Sequence, residues 1–374
     1  MDKKIARMKS LACTSRMLAF LLAVFTIEIL HGQSPDLQKA VAITAQEPIT
    51  GVTTTRDGKV FVLFPHLDGH DGTRVAQVLA DGSFRPFPDE EWNRWRAGMD
   101  STQHLVGPNS IRVGDDGLLW VVDTGTRGFG SSVIPGAAKL VGFDPSTGVV
   151  RHQYPLNAAV RSGSYVDDVR FVRNTAIFTD AGDPGLILLD MKSGAARRVL
   201  DHENCVTAKT PMRASGALLQ SSRGPVSIHA DQLEISPDRE WLYFQPASGP
   251  LSRVAVKDLL DRKLLPQQLV ARVHLFAHTP STGGTAMTSK GILLVSDVDK
   301  HQLLAIDPKG KIRILLSDPQ LAWVDAMWID EKQNLWMPAA QLDRLPLFQG
   351  GRQMLRFPIQ VYRVSLVSLL MRRE

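Results

Sequence analysis

The chain has 374 residues, of which 44% are hydrophobic and 22% charged, with two cysteines and a formal net charge of +5. These values exclude a largely disordered chain and a scaffold stapled by disulfides, and the length suits one large domain or two ordinary ones. Residues 1–32 carry three of the five net positive charges, so no basic stripe remains elsewhere and nothing in the charge pattern points to a nucleic-acid partner.

In chain order, the first element is residues 1–32. Lys3, Lys4, Arg7, Lys9 and Arg16 precede an apolar run from Met17 to Leu30, interrupted only by Thr26 and Glu28. That layout predicts a signal peptide, and the run is short of the roughly 20 apolar residues of a membrane span. Its removal lowers the net charge to +2 and leaves Cys205 as the sole cysteine, so no intrachain disulfide can form. Cys205 reads as a small buried apolar residue. The expectation is a secreted or periplasmic monomer, 33–374, with no stable membrane insertion once the signal is removed.

From residue 50 onward one unit repeats six times: a polar residue, an apolar residue two positions on, a turn, then a β-rich apolar run. The copies begin at Thr50, Asn109, Asp167, Asp231, Thr285 and Asp325, and their turns include Asp57-Gly58, Asp116-Gly117 and Ser289-Lys290-Gly291. Hairpin signals follow most copies, as in LVGFDPSTGVVRHQY, LILLDMKSGAARRVL and LLAIDPKGKIRILL. Four short strands recurring at this period predict an all-β fold, a six-bladed β-propeller of four-stranded antiparallel blades. A pair of β-sandwiches would alternate similarly but gives no long repeat. Helix is expected only at 88–98 and 256–265, and the tail 364–374 is expected to close the ring against the first blade.

The innermost strand of each propeller blade runs beside the central channel, so the six leading residues meet in a ring at one mouth. Three carboxylates, one amide and two hydroxyls then face a single cavity. Such a ring can hydrogen-bond strand ends and channel water, hold a hard cation such as Ca²⁺ through oxygen ligands, or hold an organic ammonium ion. The metal-ligand candidates are Asp231, Asp325 and Asn109.

The stretches ITGVTTTRDGKVFVLFP, FRPFPDEEWN, NSIRVGDDGLLWVVDTG, DAGDPGLILLDMKSG and ISPDREWLYFQPASGPLSRV resemble the major royal jelly protein/Yellow family over residues 47–364. The resemblance implies a secreted six-bladed propeller with a ligand cavity at one channel mouth. It also implies pigment-pathway chemistry such as dopachrome conversion, binding of small aromatic amines, or a storage role. Pro65-His66-Leu67 stands where members often carry Pro-Arg-Trp, and the paired cysteines of animal members are missing. HADQLEISPDREWLY and VDAMWIDEKQNLWM are similar, more distantly, to the gluconolactonase/SMP-30 group. That likeness places metal ligands at Asp231 and Asp325 and a substrate contact at Asp167. The group's first-blade glutamate has no match, since Ile49-Thr50 stands there and Glu47 is out of register.

His229, two residues before Asp231, is the candidate general base. His274 and His278 read as loop residues, Arg170 as structural, and Trp120, Trp241 and Trp336 as packing between blades. The favoured function is binding of a small polar or cationic molecule, of aromatic-amine or catechol type, with isomerase-type activity as an extension. The alternative is a divalent-metal lactonase or related hydrolase.

Overall fold

A computed structural model describes residues 36–371. The signal peptide expected over 1–32 lies outside the described residues. Within them the chain forms six four-stranded antiparallel sheets in succession. Their innermost strands are Gly51–Thr54, Pro108–Val113, Val166–Val172, Ala230–Ile235, Thr282–Met287 and Trp328–Ile329; contacts run from strand to strand through the first five, and a bridge between Gly51 and Ala326 joins the sixth blade to the first. This is the six-bladed propeller that the repeat predicts.

The hairpin motifs fold as their chemistry requires. Asp144, Asp190 and Asp307 each turn a carboxylate back onto the backbone N–H groups of the following residues, closing the turn between the third and fourth strands. The second strand of each blade is covered on both faces: all five residues of Leu119–Asp123 are buried. Such strands read as continuous apolar runs. Asp123 and Asp180 end two of them as buried carboxylates. They accept backbone N–H groups of the chain entering and leaving the blade and pair with Lys139 at 2.6 Å and Arg198 at 2.8 Å.

Apolar clusters between neighbouring blades form the core. Trp120, 1% exposed, packs with Val122, Leu140, Val169, Phe178 and Ile187 between the second and third blades. Its ring lies against Gly142, where a Cβ would come within 2.7 Å of the indole. Trp336 packs with Val52, Val62 and Val361 between the sixth and first blades.

Ring closure differs from the expectation. The N-terminal strand Val41–Ala45, not the tail, completes the circle, and it joins the sixth blade rather than the first. It pairs antiparallel with Ile359–Ser365 as the outermost strand there. The tail instead forms a short helix, Leu366–Leu370, which seals the cluster beneath Leu315, Leu335 and Met337. VAITA and VSLVS both carry β-branched residues, so local sequence could not decide which of them pairs. The helices are also shorter than expected. Glu90–Asn93 is capped by Asp89. Residues 256–265 give only Val256–Leu260, because Pro266 opens a second helix, Pro266–Val270, at the position where its missing N–H costs nothing. Among the described residues no helix is long and apolar enough to cross a membrane.

Candidate functional site

Five of the six inner strands begin with the same irregularity. In blade two Pro108 pairs with Asp123 and Ser110 with Val122, so Asn109 is an extra residue without a cross-strand partner. Asp231 is the extra residue between Ala230 and Gln232. The inner strands of blades three and five likewise carry one residue more than their partners, across Val166/Val169 and Thr282/Thr285. In blade six the surplus falls between Val324 and Trp328. A bulge of this kind aims a side chain out of the regular alternation of the strand, here toward the channel.

The residues so aimed line one cavity: Asn109, Asp167, Asp231, Gly283 and Asp325, with Thr50 contributed by blade one. Five of the six expected ring residues therefore meet, far apart in sequence. Thr285 is not on the wall of this cavity but lines a smaller one beside it, together with Asn109, Asp167, Asp231 and Asp325. Thr285-Ala286-Met287 mimics Asp325-Ala326-Met327 in sequence, but the bulge in blade five holds Gly283 and Gly284, so Gly283 takes the ring position. Thr285 lies farther along the channel and donates its hydroxyl to Glu234 at 3.2 Å. His229 does not line the cavity. Its Nδ1 accepts the N–H of Ala208 at 3.1 Å, which anchors the segment entering blade four, and burial holds its pKa below the usual histidine value.

The ring is wired by hydrogen bonds. Asn109 donates Nδ2 to Asp167 at 2.9 Å and accepts the Tyr165 hydroxyl on Oδ1 at 2.9 Å. Gln232 donates to Asp231. Asp325 accepts the Trp323 indole N–H at 3.0 Å and the Ala326 N–H at 2.8 Å. Asp167 and Asp231 line the same cavity and perturb each other's ionisation. Burial, then the charge and hydrogen bond of Asp231, push Asp167 well above the carboxylate range. Burial raises Asp231 to about 6. Asp325 is also raised well above the carboxylate range, by burial and by the charge of Asp231, against the two donors it accepts. The Thr50 hydroxyl is buried without a partner.

A second layer lies just below and has opposite electrostatics. Arg170 donates to Asp168 at 2.6 Å and bidentately to Glu234 at 2.5 and 3.0 Å, while Arg112 reaches Asp168 at 3.5 Å. Burial alone would raise Asp168, but Arg170 and Arg112 together bring it down to about 2. Two guanidiniums thus match two carboxylates in that layer. Arg170, read from sequence as structural, is its hinge.

The sequence reading missed the walls of the cavity. Leu67 and Phe129 come from loops that follow the second strands of blades one and two. Tyr165, Ile228 and Trp323 come from the connections between blades, and Leu342 and Phe348 from the long loop of blade six. Phe129 packs edge-on against Tyr165 at 5.2 Å and approaches Phe348 at 6.2 Å. All of these loops open on the face where the inner strands begin, and that topological rule was the one signal available for them. The cavity volume is about 60 Å³, room for a few water molecules or one small polar head group, and the space widens to solvent at the mouth. Among the described residues no lysine, arginine or histidine lines it.

Comparison with known proteins agrees with this architecture. "Protein yellow" of Drosophila melanogaster and of Drosophila yakuba are each 26% identical over 291 residues, covering 70% of this chain and 51% of theirs. The chain therefore spans about half the length of the curated relatives it matches. Among solved structures, a gluconolactonase from Xanthomonas campestris superposes with a TM-score of 0.53 at 16% identity, over 80% of this chain and 86% of that one. A streptogramin B lyase superposes at 0.50 with 11% identity, over 87% and 95%. At such identities the likeness is one of fold. The family model described as "Major royal jelly protein" matches residues 106–369, well over half of the sequence, and the chain belongs to that family.

Proposed function

We propose that the protein holds a small cationic molecule of the aromatic-amine class at the mouth of its channel. The observation that carries this reading is an acidic ring without a matching cation beneath an aromatic rim. Asp167, Asp231 and Asp325 converge where no basic side chain lines the space, whereas the layer below pairs each carboxylate with a guanidinium. An ammonium group seated on the ring would relieve the repulsion that now keeps protons on these carboxylates. The faces of Trp323, Tyr165 and Phe129 suit the body of such a molecule, and cation–π attraction adds to the charge. The unpartnered Thr50 hydroxyl offers one further hydrogen bond.

A hard cation fits less well. Both ends of the Asn109 amide are already engaged, by Asp167 and Tyr165. Asp167, Asp231 and Asp325 are not among the sets of three whose ligand atoms all lie within 4.8 Å of one another. Ca²⁺ takes about 6–8 oxygens. With a catechol-type ligand in place, whichever of Asp167 and Asp231 is ionised takes a proton from one ligand atom while its protonated neighbour delivers its own proton to another, the net exchange an isomerase requires. The basic-then-apolar segment 1–32 supports export of the protein to the periplasm or beyond.

Calorimetric titration of the purified protein at pH 7.5 with phenethylamine, its uncharged counterpart 2-phenylethanol and Ca²⁺ tests the reading. The amine is expected to bind, and Asp325→Asn to weaken it by roughly tenfold or more, as loss of one buried charge–charge contact implies. Equal binding of the alcohol, or no binding of either, would refute the proposal. Saturable Ca²⁺ binding that Asp325→Asn abolishes would favour the metal-dependent hydrolase instead.

A further inference from the structure

Glu47, His66 and His70 form a second constellation on the mouth face, outside the acidic ring. Each offers one ligand atom, and the three atoms all lie within 4.8 Å of one another. Glu47 stands just before the first inner strand. His66 and His70 belong to the loop between Val60–Leu63 and Val75–Val78. The imidazoles stack at 4.1 Å, and Glu47 Oε2 is 3.6 Å from His70 Nε2.

The tautomers follow from the partners. His66 Nε2 lies 3.1 Å from the carbonyl oxygen of Thr73, which can only accept, so Nε2 carries the proton and Nδ1 presents a lone pair. That Nδ1 is buried and has no partner, on a residue only 6% exposed. A buried orphan nitrogen of this kind needs an explanation. On His70, Nδ1 bonds to Asp68, which turns Nε2 toward Glu47. Both rings thus have their far nitrogen fixed by an oxygen acceptor, the outer arrangement that orients metal-ligating histidines. The base of the loop is rigid: the Arg74 guanidinium is engaged by the carbonyls of Gly72, Asn93, Trp95 and Val106.

We infer that His66 Nδ1, His70 Nε2 and the Glu47 carboxylate form a binding site for a divalent transition metal of the Zn²⁺ class. Two imidazoles and one carboxylate make a three-ligand zinc set with a fourth position left to solvent. A tetrahedron with metal–nitrogen bonds of about 2.0–2.1 Å requires the ligand atoms to close in by up to roughly 1.5 Å. Glu47 and His70 are half-exposed and able to make that movement. The other three-residue cluster among the described residues, Asp183, Asp201 and His202, is a poor site because Arg161 and Arg198 already neutralise its carboxylates. The metal would tie the chain entering blade one to a loop whose next residue, Leu67, lines the channel mouth and accepts the Phe129 N–H at 2.9 Å.

Zn²⁺ titration of the EDTA-treated protein by calorimetry, with Co²⁺ absorption as a second reading, decides the matter. We expect one equivalent of Zn²⁺, a rise in Tm on binding, and a visible Co²⁺ band typical of four-coordinate nitrogen and oxygen ligation. His70→Ala, at an exposed position, should abolish all three while leaving the Zn²⁺-free Tm nearly unchanged. Asp68→Asn should weaken Zn²⁺ by about 10–100-fold, and Asp325→Asn in the ring should leave Zn²⁺ binding intact. No binding by the wild-type protein, or binding that survives His70→Ala, would overturn the inference.

Discussion

Asp231→Asn separates what the ring costs the fold from what it gives the ligand. Burial lifts the Asp231 carboxyl from the ordinary 3.8 to about 6, a shift of about two pH units worth ~3 kcal/mol between its two protonation states. Its side chain keeps a face on the cavity, and water there screens part of this, leaving about 1–3 kcal/mol. Because the folded state binds this proton more tightly than the unfolded chain, the favourable contribution is complete below pH 4 and is lost as pH rises through about 6. Asparagine cannot ionise, and its oxygen can still accept from Gln232. The ligand-free variant should therefore exceed wild type by about 1–3 kcal/mol at pH 7.5, a gain in Tm on the order of 5 °C. At pH 4 the difference should shrink toward zero. Urea denaturation of both proteins at pH 4, 5.5 and 7.5 measures this directly. If the variant is less stable than wild type at pH 7.5, or the gap does not widen with pH, the account of the ring as a set of unmatched buried carboxylates is wrong.

Three further outcomes are expected. Arg170→Ala leaves Asp168 and Glu234 buried without their guanidinium and should cost about 3–5 kcal/mol in urea denaturation; a loss below 1 kcal/mol would show that the second layer is not held by charge. Gly142→Ala drives a methyl to within 2.7 Å of Trp120 and should destabilise by about 1–3 kcal/mol, read as a lowered denaturation midpoint with a shifted tryptophan emission. A chain beginning at residue 46 lacks the strand Val41–Ala45 that completes blade six and should lose its single cooperative melting transition; unchanged melting would mean that ring closure contributes nothing to stability.

The blades could be read from sequence because each carries its instructions locally. Turn residues such as Asp116-Gly117 and the aspartates that open the outer hairpins recur at fixed places along the β runs. Asn109, Asp167, Asp231 and Asp325 were legible because a polar residue ahead of an apolar strand stands out. Thr285 sits one step deeper than expected for a physical reason: the bulge in blade five is built of Gly283 and Gly284, which have no side chains to mark it. The aromatic rim was hidden because Phe129, Trp323 and Phe348 sit in loops whose paths depend on neighbouring blades. The ring-closing strand was hidden because pairing between residues 41 and 362 is a long-range choice that local propensity does not make.

The bulges at the heads of the inner strands have an evolutionary corollary. A residue with no opposite number across the ladder has no backbone pairing to keep in its own blade, so glycine, asparagine and aspartate occupy equivalent sockets within one molecule. Those sockets can be refilled one at a time to suit a new guest while the wheel around them turns out the same shape. The constraint on them is side-chain wiring alone, as between Asn109 and Asp167, whereas Ser110 and Gln232 are held both by ladder pairing and by a bond to another blade.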